Sequence, residues 1–414
     1  MISGALVAPF FISAGGVLPL AAQDGAVVGG PERSDTTGRS GDPLVATPVA
    51  AGPGTPRILR LPHGDGSIVA LRMFVPLDEA PSEAGGGWIL ARLAERRIAE
   101  AARRLGADVA VRRTPDGVSY AVAGPRTDFD YLAYILRLAA SEPDPSFVVD
   151  ARRELQAALD GLLETGPGQV ELALRLRTAV GPPTTGTPGS LPGLSAATVR
   201  DLWSRTHRPD RTTLLVSGDV ASPLLLASLT DVGASDPAVP ARPAGPPPTD
   251  PAPPNLQLIR RFTGRAWSGL GDMDPVAPVL ARLAAEAVRT APGDFEARLL
   301  LWNAGSGPVL AVTGVAFPAR FAELDAALDR LLPAAADLAH GDAFTRAVAE
   351  VRREWLLQLD DPLGRLSTVG SAIDRTGALD AARRRLDALD ALTPARVIEA
   401  IDRLRGTATR VTVR

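Results

Sequence analysis

Any chemistry in this chain must be built from few residue types. It has three histidines, no cysteine and no lysine, so every cationic side chain is an arginine. The missing cysteine removes thiol nucleophiles, disulfides and cysteine-ligated zinc or iron–sulfur sites together. The sequence has no G-x-S-x-G elbow and no phosphate-cradling loop, and its glycine run at 85–87 is too short and isolated to bind a nucleotide. The histidines do not converge. His63 falls in an expected hairpin turn, His207 just ahead of Pro209, and His340 before a Gly-Asp turn. No two stand at metal-ligand spacing, and each reads as a solvated loop residue. The carboxylates sit among arginines. Glu95 and Glu100 read as partners for Arg96, Arg97, Arg103 and Arg104, and Glu154 and Asp160 as surface charges in i,i+4 pairs on an arginine-rich helix. Trp88 reads as core.

The elements that would hold these residues announce themselves by repetition. In residues 191–220, Ser195 is a natural N-cap for an amphipathic helix striped by Val199, Leu202 and Trp203. Pro209 stops that helix near His207. A branched, alternating strand at 212–217 then ends in the Gly218-Asp219 turn. The same grammar returns at 386–414, where Thr393 caps, Pro394 takes the first helical position and Val397, Ile401 and Leu404 form the stripe before a strand at 409–413. Trp203 and Ile401 are therefore expected to be equivalent core positions. Residues 147–163 and 344–360 form a second pair, each a long helix opened by Phe and containing Arg-Arg-Glu; 68–76 and 261–269 form a third. Self-similarity in this order predicts two tandem copies of one α+β domain.

A chain of 414 residues has room for two such cores. Residues 1–23 are apolar, broken by Pro and Gly, and end in small residues, like a secretory signal, although the first basic residue is Arg33. This predicts a periplasmic or secreted protein without a stable membrane span. Residues 24–56 read as a disordered linker. The first domain is expected over 57–235. It begins with a strand, a Gly-Asp-Gly hairpin turn at 64–66 and a second strand to Val75; a helix at 87–105 and strands at 109–113 and 118–123 follow. Helices at 128–140, 147–163 and 222–230 complete it. A proline-rich linker at 236–255 leads to the second domain at 256–414. A net charge of −3 gives no reason to expect nucleic acid or an anionic membrane as partner.

The segments LPHGDGSIVALRMFVP, TDFDYLAYILRLAASEPDPSFV and LPGLSAATVRDLWSRTHRPDRTTLLVSGDV occur in that order in the first copy. In the second come WSGLGDMDPVAPVLARLAAE, FEARLLL and a run from LDDPLGRLSTVG to LTPARVIEA. Together they resemble the insulinase/pitrilysin-like metallopeptidase superfamily, which includes mitochondrial processing peptidase and the core proteins of cytochrome bc complexes. The resemblance implies two tandem homologous α/β-sandwich domains of the metallohydrolase-like, processing-peptidase type. Active members carry H-x-x-E-H on the first long helix, where two histidines bind zinc, the glutamate between them polarises water and a distal glutamate completes the site.

In this chain the corresponding positions are Leu90, Leu93 and Ala94 if Gly87 matches the family's glycine, or Ile89, Arg92 and Leu93 if Gly86 does. Neither register supplies a metal ligand. Active members also use an arginine and a tyrosine from the second copy. Arg298 and Leu299 fit the R-L pattern, making Arg298 a weak substrate-binding candidate, but Leu310 stands where the tyrosine would be. The resemblance thus implies a non-catalytic chain with no cofactor of its own. It would pair as a heterodimer with a zinc-bearing catalytic paralogue and help enclose peptide substrates. A stand-alone peptide-binding adaptor, or a zinc peptidase with unrecognised ligands, are the alternatives. Leu90 and Leu93 require a cover, either the domain's own core or another chain, and the second case predicts an exposed apolar patch between the domains.

Overall fold

The computed structural model describes residues 42–50, 52, 54–62, 66–179, 181, 183–221, 224, 229, 260–271, 273–291, 296–305 and 307–413. The signal-like segment, most of the helix expected at 222–230, His63 with residues 64 and 65 of its turn, and the linker at 236–255 lie outside these residues.

The first sheet contains β1 (Thr47–Val49), β2 (Arg57–Leu61), β3 (Ile68–Pro76), β4 (Asp108–Thr114), β5 (Gly117–Pro125) and β6 (Thr213–Ser217), in the order β1-β2-β6-β3-β5-β4. The second contains β7 (Arg261–Trp267), β8 (Glu296–Asn303), β9 (Pro308–Ala316) and β10 (Ala408–Val413), in the order β10-β7-β9-β8. That order repeats β6-β3-β5-β4, with antiparallel neighbours throughout. The expected duplication holds strand for strand in a mixed α+β architecture.

Two expectations about the start of the first domain are corrected. β2 and β3 do not form a hairpin, because β6 lies between them, parallel to β2 and antiparallel to β3. The sheet also begins inside the stretch expected to be disordered. β1 pairs with β2, and Leu44 and Ala46 are buried against the second half of the chain. Asp42 makes two hydrogen bonds with Arg383 that tie the segment down.

The helices of the first half are α1 (Gly86–Leu105), α2 (Phe129–Ala140), α3 (Val148–Leu163), α4 (Gly166–Thr178) and α5 (Ala196–Thr206). Those of the second are α6 (Val276–Thr290), α7 (Phe321–Asp329), α8 (Leu331–Ala339), α9 (Asp342–Asp360), α10 (Pro362–Thr376), α11 (Ala381–Asp390) and α12 (Pro394–Leu404). The predicted caps are in place: Ser195 accepts from the Thr198 N–H and Thr393 from that of Arg396. None of the described helices is long and apolar enough to cross a membrane.

Each sheet is covered on one face by its own half. Val69, Leu71, Met73 and Val75 of β3 point toward α1 and α2, following the two-residue period of a strand. The opposite face is covered by the other half. α10 packs across β3, β5 and β6, and α4 packs across β7, β9 and β10. These exchanged helices are equivalent elements. Each starts with Pro in its first turn and a capping side chain, Thr165 on Gly168 N–H and Asp361 on Gly364 N–H. Val170 and Leu174 of α4 are fully buried on the second sheet, each contributing about 1.5–3 kcal/mol of apolar burial.

Candidate functional site

The helix on which the resemblance would place the metal motif is fixed here by its glycine run. Gly85 caps α1 with φ 93°, a left-handed conformation that favours glycine. A Cβ on Gly87 would lie 2.2 Å from the Leu77 side chain and 2.6 Å from Arg113 Nε. The space is taken by Glu79, whose Oε1 accepts the Gly87 N–H and whose Oε2 accepts from Arg113 at 2.8 Å. Both side chains are buried, so the charge at the helix start is compensated. The glycine run is a packing device.

From this anchor α1 presents three faces. Ala91, Ala94, Ile98 and Ala102 lie on the first sheet. Ile89, Leu90 and Leu93 join Val148, Ala151 and Leu155 of α3 and Val199 and Leu202 of α5 in a separate core, with Trp88 packed at its margin. Leu90 and Leu93 are 4% and 5% exposed. The domain's own core covers them, so the apolar patch expected in the partner alternative does not exist at these positions. Leu90→Asp would therefore disrupt the domain itself.

The third face is charged. Arg92, Glu95 and Arg96 stand at i, i+3 and i+4, and α3 places Glu154 opposite them. Arg92 Nε donates to Glu154 Oε2 at 2.8 Å and its Nη1 to Glu95 Oε2 at 2.6 Å, while Arg96 Nη2 donates to Glu154 Oε1. Burial works to raise the Glu154 pKa, but the hydrogen bonds and charges of Arg92 and Arg96 outweigh it and hold the carboxyl below its ordinary value. The same bonds, from Glu154 and then Glu95, raise Arg92. Glu154 thus pairs across helices, not with i,i+4 neighbours on α3 as expected, and Glu95 pairs with Arg92. Glu100 does bind Arg103 and Arg104.

These side chains do not fit zinc. A guanidinium is always protonated and offers N–H donors, with no lone pair for a metal. Among the described residues no group of three or more His, Asp or Glu side chains could hold a metal ion. The second half repeats part of the arrangement. Residues 89–94 read Ile-Leu-Ala-Arg-Leu-Ala, 279–284 read Val-Leu-Ala-Arg-Leu-Ala, and Arg-Arg-Glu recurs at 152–154 and 352–354. There Arg282 of α6 binds Glu354 of α9, as Arg92 binds Glu154. The Arg–Glu brace belongs to both copies. Glu95 and Arg96 belong to the first alone, since Ala285 and Glu286 stand in their places. The signal for this cluster was the i, i+4 arginine pair around a glutamate, together with the repeated hexapeptide.

The remaining candidates lie elsewhere. Arg298 is exposed on β8, the edge strand of the second sheet, and does not join the α1–α3 cluster. Leu310 is buried in the second-half core. His340 is exposed, but His207 is not the solvated residue expected. It is 1% exposed, beneath Trp203, with Nε2 2.7 Å from Tyr120 Oη and Nδ1 3.0 Å from Thr206 Oγ1. The Thr206 hydroxyl donates to Leu202 O, so it accepts from His207 Nδ1–H, and Tyr120 donates to Nε2. Burial lowers the His207 pKa to about 3, which keeps the ring neutral. Trp203 is half-buried, donating Nε1–H to Ala140 O, whereas Ile401 is fully buried. The two equivalent positions differ in depth.

No protein-family model matches the sequence, and neither does any curated protein. The fold is shared with solved structures. The periplasmic protease PqqL from Escherichia coli is 12% identical with a TM-score of 0.65; the match covers 94% of this chain and 48% of the protease, so this chain spans about half its length. A protease from Helicobacter pylori is 11% identical with a TM-score of 0.69, over 89% of this chain and 98% of the other. A peptidase M16 inactive domain from Pseudomonas fluorescens is 13% identical with a TM-score of 0.65, over 89% and 97%. The architecture is that of the M16 peptidases, two homologous α+β domains in tandem.

Proposed function

We propose that this chain is a non-catalytic, peptide-binding subunit with the peptidase fold, working as a heterodimer beside a zinc-bearing relative. The observation that carries this reading is the charged face of α1. Set against H-x-x-E-H, residues 92–96 keep the glutamate as Glu95 and have arginine at both histidine positions, with Glu154 as the distal glutamate. This register lies two residues downstream of the one anchored on Gly87. It puts all four positions in one contacting group, whereas Leu90 and Leu93 point into the core. In the active arrangement a dication faces two carboxylates; here two guanidiniums face two carboxylates. The formal charge is the same, and α1 and α3 stay braced with no metal.

Two further facts support the reading. One solved structure of this fold is itself described as an inactive domain. The E. coli protease is about twice as long as this chain, so two chains of this length would match its extent. In such a pair this subunit gives wall, volume and strand edges to an extended peptide. Residues 1–23 would direct it to the periplasm or outside the cell.

Metal analysis of the purified chain, with an unstructured peptide as substrate, tests the first part. The expected result is no stoichiometric zinc and no cleavage; one tightly held zinc with chelator-sensitive cleavage overturns it. Light scattering with the zinc-bearing paralogue should give a 1:1 complex, and a monomer that binds peptides unaided would favour the adaptor.

A further inference from the structure

Beside the charged face of α1 lies a pocket of about 390 Å³, lined by Leu93, Arg96, Arg97, Asp144 and Phe147. That is within the size range of small-molecule sites. Its walls differ in chemistry. Leu93 is buried and apolar, and Phe147 leaves half of its surface, 49%, exposed. Arg96 commits Nη2 to Glu154, and among the described residues its other nitrogens bond no protein atom. Arg97 uses part of its guanidinium on oxygens at the end of α2 and just beyond it, with Nη1 donating to Leu138 O and to Ser141 O and Oγ, and Nη2 to Glu142 O; among the described residues its Nε bonds no protein atom. No carboxylate among the described residues lies within ion-pair distance of it. Burial accordingly holds its pKa below the ordinary arginine value. Asp144 accepts from the N–H and hydroxyl of Ser146 at 2.9 and 2.7 Å, and its remaining lone pairs are available to a ligand.

We propose that this pocket captures the C-terminal residue of a peptide, reading its free carboxylate and an apolar last side chain. The inference rests on the peptide-binding reading above and names the end of the peptide that is recognised. The carboxylate pairs with Arg96 and Arg97, where charge-assisted bonds are strongest. The apolar side chain lies on Leu93 and the Phe147 ring, and Asp144 accepts the N–H of the last residue. All five lining residues are used. An inorganic anion would leave Leu93 and Phe147 without a role, and an internal Asp or Glu lacks the apolar group on the same residue.

The test is fluorescence anisotropy of the full chain with an N-terminally labelled hexapeptide ending in leucine, as the free acid and as the C-terminal amide. The acid should bind about tenfold more tightly or better, the scale of a hydrogen bond to a charged group. Arg96→Gln, which leaves Arg92 on Glu154 and Arg97 in the pocket, should cut that ratio severalfold, and Phe147→Ala should weaken the acid peptide, with circular dichroism unchanged in both. Equal binding of acid and amide by the wild-type chain overturns the pocket assignment and leaves peptide binding standing. Failure of both peptides to bind overturns the peptide-binding reading and this inference with it. Competition by free leucine as effective as by the peptide would make the site one for amino acids and overturn the proposal.

Discussion

Arg72 and Asp374 are 302 residues apart in sequence, yet Arg72 Nη2 donates to Asp374 Oδ2 at 2.6 Å. The pair joins β3 of the first half to the exchanged helix α10 of the second, and its side chains are 2% and 4% exposed. It is only partly satisfied, since Arg72 Nε and Nη1 and Asp374 Oδ1 have no hydrogen-bond partner. Burial raises the Asp374 pKa even though Arg72 opposes it. Such a pair adds little net stability but is costly to break, because the survivor is a buried, uncompensated charge. Asp374→Leu should therefore destabilise the chain by about 3–5 kcal/mol. Arg72→Met added to Asp374→Leu should recover most of that loss. Urea denaturation of the two singles and the double measures it, and a loss below about 1 kcal/mol for Asp374→Leu would contradict a buried ion pair.

His207 makes stability depend on pH in a calculable direction. Its folded pKa of about 3 lies below the ordinary 6.5, so between these values the unfolded chain binds a proton that the folded chain refuses. Stability from this group is complete above pH 6.5 and falls as pH drops toward 3, by up to about 1.4 kcal/mol per unit. Asp374, with a raised pKa, has the opposite slope just above the ordinary carboxylate range. His207→Gln should flatten the fall between pH 6.5 and 4.5. A His207 imidazole NMR signal, assigned by its loss in His207→Gln, that titrates near pH 6.5 would contradict this account.

On the proposed reading, the two registers for H-x-x-E-H make different demands. Arg92→His with Arg96→His restores H-x-x-E-H opposite Glu154 and should give a chain that retains one zinc after dialysis. Leu90→His with Ala94→His puts both rings into the core and should give an unstable chain without zinc. The reverse outcome would favour the register at Leu90 and Ala94. For the wild-type chain, a chelator should leave the melting temperature unchanged.

Close approach of α4 to the second sheet depends on Gly264, where a Cβ would stand 2.6 Å from Val170 and 2.8 Å from Leu174. Gly264→Ala should cost about 1–3 kcal/mol through overpacking. Val170→Ala added to it should relieve part of the cost by vacating the space. Strictly additive losses in thermal unfolding would show that the two positions do not touch.

Apolar period, caps and proline positions revealed most strands and helices in the sequence, and the duplicated cap-helix-strand unit revealed the architecture. α4 was not legible. Val170, Leu172, Leu174 and Leu176 alternate as in a strand, but the segment is a helix packed between two cores, with Leu172 on its own half and Val170 and Leu174 on the other. His207 looked solvated because its burial depends on Tyr120, 87 residues away. What the glycines at 85–87 do was also not legible, since Glu79, Arg113 and Leu77, which pack against Gly87, come from other segments. Arg92 and Arg96 were visible as letters, but only the position of α3 shows that both reach the same carboxylate.

The exchange of α4 and α10 also governs when the chain can fold. During synthesis α4 emerges before any strand of the sheet it covers, and one face of the first sheet lacks its cover until residue 376 has been made. Contacts of such long sequence separation form slowly and leave apolar surface open meanwhile. Neither half can then be an autonomous folding unit. Cutting the chain in the proline-rich linker and expressing the pieces apart would yield two aggregation-prone fragments, each soluble only when the other is present.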